Sequence, residues 1–125
     1  MPIRLIVSRP DRLVVGIASD TVTLADLVDF LHQLTEGELH RFRKIIDISA
    51  AKPALSTEEL AQFGQGLREV LKDTPRGAMA IVADSKLNEM ARLFASITTD
   101  VGRPAEVFRS IHEARKWLST SAFPR

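Results

Sequence analysis

Two adjacent hydroxyl side chains, Ser56 and Thr57, are the strongest candidates in the sequence for a modifiable site. They follow an apolar run that ends in a proline, and they precede a helical pattern of apolar residues. Ser56 lies three residues before Glu59, which is the spacing of a capping box at a helix start. A phosphate on either hydroxyl would meet the positive end of the helix dipole, but also repulsion from Glu58 and Glu59. A helix cap and a regulatory site therefore both remain open.

Other side chains that could do chemistry are absent or badly spaced. With no cysteine in the chain, there is no thiolate nucleophile, no disulfide and no zinc site built on sulfur. His32, His40 and His112 fall on different predicted elements, so no two of them share a helical turn as metal ligands. We therefore predict no catalytic residue, no bound metal and no cofactor.

Two glycines, Gly64 and Gly66, interrupt a helical pattern instead of following a strand, so they do not form a phosphate-binding loop. Each costs a helix about 1 kcal/mol relative to alanine. Either a neighbouring backbone approaches closely at these positions, or the helix simply tolerates the cost.

The charge balance excludes a general attraction to nucleic acid. The 125 residues carry a formal charge of +1, and 45% of them are apolar, which is enough for the core of a single domain spanning residues 1–125. The densest basic segment, His40-Arg-Phe-Arg-Lys44, is predicted to be a solvated entry to a strand. We predict that the protein binds no nucleic acid.

Hydropathy predicts a soluble chain. No segment approaches the roughly 18 consecutive apolar residues of a membrane span, and the first residues lack the apolar core of a secretory signal. We therefore expect a cytoplasmic protein with no transmembrane segment. Residues 119–125 show no periodicity and are predicted to be a frayed C-terminal tail.

The elements that would position Ser56 and Thr57 follow from hydrophobic periodicity. Two β-rich segments, residues 3–7 and 12–18, are separated by a turn cluster and predict an antiparallel hairpin. Strands at 44–48, 78–83 and 105–108 then alternate with four helical stripes. Such alternation requires a mostly parallel sheet, so we predict an α/β fold with about five strands and about four helices.

The four helical stripes are each marked by apolar residues at helical spacing. Thr23 is the predicted N-cap of the first helix and Gly37 its stop, and Ser110 with Glu113 is predicted to cap the last helix. Trp117 shares the last stripe and is expected to be buried in the core. The stripes are Leu24, Leu27, Val28, Leu31 and Leu34; Leu60, Phe63, Leu67, Val70 and Leu71; Leu87, Met90, Ala91, Phe94 and Ile97; and Ile111, Ala114, Trp117 and Leu118.

This order of elements resembles the STAS domain of bacterial anti-sigma-factor antagonists, and more closely the SpoIIAA-like family of small, mostly uncharacterised bacterial proteins. The resemblance rests on the strand Ile45-Ile-Asp-Ile-Ser49 with the Ser-Thr pair that opens the next helix. It also rests on Met90-Ala-Arg-Leu-Phe94, Val107-Phe-Arg-Ser110 and Ala114-Arg-Lys-Trp-Leu118, which are similar to that family's third helix, last strand and last helix.

The resemblance implies a phosphoacceptor at the candidate hydroxyls. STAS antagonists carry an Asp-Ser-Ser/Thr-Gly-Leu motif whose first serine is phosphorylated to switch partner binding. Counting from Asp47 without a gap places Ser56 at that serine, whereas matching the motif's leucine to Leu60 places Thr57 there. The motif's glycine is replaced by Glu58 in the first alignment and by Glu59 in the second.

The resemblance thus implies a non-enzymatic regulatory module that binds a protein, such as an anti-sigma-type kinase or a related regulator. A second copy of the chain is a further candidate partner. The alternative is a carrier of a small apolar ligand or lipid, because the same broad fold resembles eukaryotic lipid-transfer domains. The carrier would need a cavity lined by Leu87, Met90 and Phe94.

Overall fold

The structure is a computed structural model that describes residues 3–71, 78–84, 91, 92, 95 and 105–119. This part of the chain forms one five-stranded sheet, three α-helices and a short 3₁₀ helix. The strands are β1 (Ile3–Ser8), β2 (Leu13–Val22), β3 (Arg43–Pro53), β4 (Met79–Val82) and β5 (Ala105–Phe108). The helices are α1 (Leu24–Thr35), α2 (Thr57–Leu71) and α3 (Ile111–Leu118), with the 3₁₀ helix at Gly37–Arg41.

The sheet has the strand order β1-β2-β3-β4-β5. β1 and β2 pair antiparallel, and each of the other neighbouring pairs is parallel. The mixed α/β fold with an opening hairpin is therefore confirmed. Because the four strands from β2 to β5 run in one direction, their carboxyl ends lie at one edge of the sheet and their amino ends at the opposite edge.

The second and third strands are longer than the periodicity predicts. β3 does not end at Ile48 but continues to Pro53, pairing with residues 19–22 of β2. A bulge separates its two halves, since the register moves from Ile17↔Asp47 to Ser19↔Ala50. Asp47 Oδ1 holds the bulge by accepting hydrogen bonds from Ser49 N at 3.0 Å and Ser49 Oγ at 2.6 Å.

Helices cover both faces of the sheet. On one face, Phe30 and Leu34 of α1 pack against Val14, Ile48 and Ile81. On the other, Ala114 and Leu118 of α3 pack against a second set of strand residues that includes Ile45. α2 packs through Phe63 and Leu67 onto Leu24, Leu27 and Leu31 of α1. Ser56, which directly precedes α2, is thus attached to a helix that packs on α1.

The predicted cap of α1 is confirmed and the predicted position of Trp117 needs revision. Thr23 forms a capping box with Asp26 at the start of α1, and Gly37 follows the helix with a φ of +55°. Trp117 is half-buried, and its ring lies 5.6 Å from that of Phe108 at an angle of 49°. The core of α3 consists instead of Ala114 and Leu118.

The predicted third helix falls mostly outside the described residues. Residues 91, 92 and 95 within it are helical, and Ala91 and Ala95 are buried against the α1 face of the sheet. The structure therefore describes three complete α-helices where the sequence predicts about four. The predicted frayed tail lies outside the described residues beyond Ser119.

Candidate functional site

Ser56 caps α2 with both hydrogen bonds of a capping box. Its Oγ accepts from Glu59 N at 3.1 Å, and Glu59 Oε1 accepts from Ser56 N at 3.0 Å. The first intrahelical bond, from Leu60 N to Ser56 O, measures 3.0 Å. The cap predicted from the Ser56 to Glu59 spacing is confirmed. Ser56 is nevertheless exposed, so its hydroxyl is open to solvent while it serves the helix.

The loop that carries Ser56 is short and anchored at both ends. It consists of Ala54, Leu55 and Ser56, because β3 ends at Pro53 and α2 begins at Thr57. Ala54 N donates to Val22 O at 2.8 Å, which ties the loop to the end of β2. The half-buried Leu55 faces the interior beneath α1. Ser56 is therefore presented from a fixed position at the carboxyl edge of the sheet.

Negative charge surrounds the start of α2. Glu58 is exposed in the first turn, and the Glu59 carboxylate is held by the Ser56 backbone. These charges favour the helix dipole at this end. They also mean that an added phosphate would enter a site that already contains carboxylates.

An apolar cavity lies between the sheet and the α1–α2 pair. Its volume is about 70 Å³, and all ten side chains that line it are apolar. A smaller space of about 30 Å³ lies next to it towards Leu55 and shares four of the same side chains. The residues predicted for a carrier cavity, Leu87, Met90 and Phe94, lie outside the described residues. The larger cavity is lined by Leu27, Phe30, Leu31, Leu34, Ile46, Ile48, Phe63, Leu67, Met79 and Ile81.

Part of the basic segment at the start of β3 is buried, although it was predicted to be a solvated strand entry and Arg41 is exposed. Phe42 is 3% exposed, Arg43 is 9% exposed and Lys44 is 2% exposed. Lys44 Nζ donates to Phe42 O at 2.7 Å. Arg43 reaches two distant carbonyl oxygens, Leu118 O at 3.0 Å and Asp11 O at 2.8 Å. The solvated interpretation is wrong for these residues, because the interior supplies hydrogen-bond acceptors that local sequence does not reveal.

The other candidate residues do not converge on the Ser56 loop. Gly64 and Gly66 lie inside α2, as predicted. His32 and His112 are exposed on α1 and α3. Within the described ranges, no three histidine or acidic side chains form a group that could hold a metal ion. None of the helices described is long and apolar enough to cross a membrane.

Comparison with solved structures identifies the fold. The chain is similar to an uncharacterized protein of the DUF3478 family with a SpoIIAA-like fold, from Shewanella loihica PV-4. The TM-score is 0.57 at 19% sequence identity, and the match covers 93% of this chain and 91% of that protein. No protein-family profile and no curated protein matches the sequence. The protein therefore has the SpoIIAA-like α/β fold that its sequence resemblance implies.

Proposed function

We propose that this protein is a non-enzymatic interaction module of the STAS type that acts through residues 54–56 and the first turn of α2. The observation that carries this proposal is the exposed Ser56, held in a capping box at the start of α2, three residues after β3 ends. Its partner is a protein, such as an anti-sigma-type kinase or a related regulator. A second copy of the chain is the other candidate partner.

A phosphate at Ser56 would replace the present hydrogen bonds of the capping box with bonds to its own oxygens. The Glu59 carboxylate bonds to Ser56 N at 3.0 Å, so it lies beside the hydroxyl that would be modified. A phosphate carries about 1.5 to 2 negative charges at pH 7 and would repel this carboxylate. Its oxygens could then accept from the free N–H groups of the first turn in place of Glu59. The surface of the loop would change while α2 remained capped.

Thr57 offers the second modification site that the motif alignments leave open. Thr57 is the first residue of α2 and directly precedes the exposed Glu58. Charge added at this position would join the acidic first turn without removing the Ser56 cap. The two sites therefore differ in whether modification disturbs the capping box.

The first test compares the partner proteins that are retained from a lysate by four forms of the protein: wild type, Ser56→Ala, Ser56→Asp and Thr57→Glu. The second measures the intact mass of the native protein to detect phosphate. Ser110→Ala is the matched control, because Ser110 also caps a helix through its hydroxyl. We expect a phosphorylated fraction, and loss or gain of a partner only in the two charged variants. An unmodified native protein with the same partners in every form would refute the switch.

A second function, a carrier of a small apolar ligand, is supported by the 70 Å³ cavity. This volume is smaller than the cavity of about 150 Å³ that is known to bind benzene or xenon. The cavity therefore suits a small apolar group, and a lipid chain would require α2 to move away from α1. Phe30 is one of the four side chains that line both the larger and the smaller space.

Xenon binding measured by ¹²⁹Xe NMR tests the carrier. Leu31→Phe would fill the cavity from α1, whereas Val28→Phe adds a ring on the same helix at a position that is 40% exposed and outside the lining. We expect saturable binding in wild type and Val28→Phe, and its loss in Leu31→Phe. Equal binding in all three proteins would exclude this cavity as the site.

A further inference from the structure

A polar cleft lies at the amino edge of the sheet, opposite the edge that carries Ser56. Its volume is about 230 Å³, and polar atoms make up most of its surface. Asp11 from the hairpin turn, Arg43 from β3, and Arg115 and Ser119 from the end of α3 contribute its polar walls. We call this the arginine cleft. Neither function proposed above uses it.

Arg43 is held in one position in the arginine cleft. It is more than nine-tenths buried, and its two terminal nitrogens donate to Leu118 O and Asp11 O. Arg43 N also donates to Arg12 O at 3.1 Å. The guanidinium is therefore fixed between the hairpin turn and the end of α3.

Arg115 supplies a second positive charge. Its side chain is exposed, and the hydrogen bonds and ion pairs between described residues do not engage its guanidinium group. Asp11 also lines the cleft, and its carboxylate accepts a hydrogen bond from Ser8 Oγ at 3.0 Å. Among the described residues that line the cleft, Arg43 and Arg115 carry guanidinium groups and Asp11 carries a carboxylate.

We propose that the arginine cleft binds a small oxyanion, such as a phosphate or a carboxylate. The exposed Arg115 guanidinium presents paired N–H donors that match the oxygens of these anions, and the charge of the buried Arg43 adds to the attraction. The volume lies below the roughly 300 to 1,000 Å³ of pockets for drug-sized ligands, so the cleft suits a small anion and not a nucleotide. Arg115 is the side chain that closes on the anion, and Asp11 opposes it by charge repulsion.

The experiment titrates inorganic phosphate, and separately acetate, while the melting temperature is measured at constant ionic strength maintained with sodium chloride. Phosphate also stabilises proteins by exclusion from their surface, but that effect does not saturate and is common to all variants. Arg115→Gln removes the closing guanidinium. Lys116→Gln is the matched control, since it removes the same charge from an exposed neighbour outside the cleft.

We expect a saturable rise in melting temperature for wild type and Lys116→Gln. The apparent Kd should be about tenfold higher or more in Arg115→Gln, the effect of losing a charge-assisted hydrogen bond. Asp11→Asn should bind more tightly because it removes the repulsion. Phosphate and acetate together distinguish a tetrahedral from a planar oxyanion. The proposal is overturned by the absence of saturation with both anions, by equal Kd values for Arg115→Gln and Lys116→Gln, or by weaker binding in Asp11→Asn.

Discussion

The ring of Phe30 on α1 occupies the space that a side chain on Gly16 of β2 would need. A Cβ atom at position 16 would lie 2.6 Å from Phe30 Cζ and 2.9 Å from Phe30 Cε1, well inside contact distance. Phe30 is 8% exposed and packs in the core on this face of the sheet. The missing side chain at Gly16 therefore allows α1 to lie close to the centre of the sheet.

Gly16→Ala should destabilise the protein by about 1 to 3 kcal/mol, because the added methyl group forces the Phe30 ring or the strand to move. The measurement is urea unfolding followed by circular dichroism. In a Phe30→Leu background the same substitution should cost clearly less, since the clashing ring atoms are gone. An equal loss in both backgrounds would mean that the clash is not with Phe30.

Gly66→Ala should have the opposite effect. Gly66 is exposed inside α2, and a Cβ atom there would meet nothing within 4 Å. Alanine should therefore stabilise the protein by about 0.5 to 1 kcal/mol through its higher helix propensity. Of the two explanations that the sequence leaves open for this glycine, simple tolerance is the one consistent with the open space. A loss of stability in urea unfolding would contradict this explanation, because it would show that a side chain is not tolerated at position 66.

Local periodicity predicted the elements whose burial repeats along the chain. The stripe beginning at Leu24 and the cap at Thr23 define α1, and the Ser56 to Glu59 spacing defines the start of α2. The extension of β3 was missed because Ser49-Ala-Ala-Lys-Pro53 has no alternation of large apolar residues. Its strand structure comes from pairing with β2, and the bulge at Ser49 breaks the period of two.

The buried charges of β3 were beyond prediction for a different reason. Arg43 is stabilised by carbonyl oxygens 32 and 75 residues away in sequence, which only the folded chain brings together. A basic run read by itself indicates a solvated surface. The same limit applies to the arginine cleft, because its walls come from a turn, a strand and a helix end that are far apart in the chain.

Arg43→Met should cost about 1 to 3 kcal/mol, because it leaves two carbonyl acceptors without their donor at a buried site. Arg43→Lys should recover only part of the lost stability, since one ammonium group does not reproduce the planar guanidinium group that reaches both carbonyl oxygens. Arg41→Met is the control, as Arg41 is exposed in the 3₁₀ helix that precedes β3. Equal stabilities of the Arg41 and Arg43 variants in urea would show that these hydrogen bonds contribute nothing net.

Trp117→Ala should cost about 1 to 3 kcal/mol, less than the roughly 3 to 5 kcal/mol expected for a fully buried tryptophan. The ring is half-buried and retains its contact with Phe108. Trp117→Phe should lose less because an aromatic contact with Phe108 survives. Unfolding should be followed by circular dichroism and not by tryptophan fluorescence, because Trp117 is the only tryptophan in the chain and both variants remove it. A loss below about 1 kcal/mol for the alanine variant would make Trp117 a candidate for contact with a partner.

Ser56→Ala should lower the free energy of unfolding by about 0.5 to 2 kcal/mol, the usual cost of losing a serine N-cap. The reason is specific: Glu59 N loses its acceptor, and the reciprocal bond from Ser56 N to Glu59 loses its geometric support. Thr57→Ala should cost less, because position 57 is the first helical residue and not the cap. Ser56→Asp should preserve most of the stability, since aspartate is also a strong N-cap.

The two Ser56 variants distinguish a structural role of this serine from a regulatory one. A cap alone predicts that stability follows the order wild type, Ser56→Asp, Ser56→Ala, while partner binding is the same in all three. A switch predicts that partner binding in Ser56→Asp departs from that of wild type although its stability does not. Urea unfolding and binding should therefore be measured on the same preparations. If partner binding is the same in all three proteins while stability follows this order, the hydroxyl at Ser56 acts as a helix cap and nothing more.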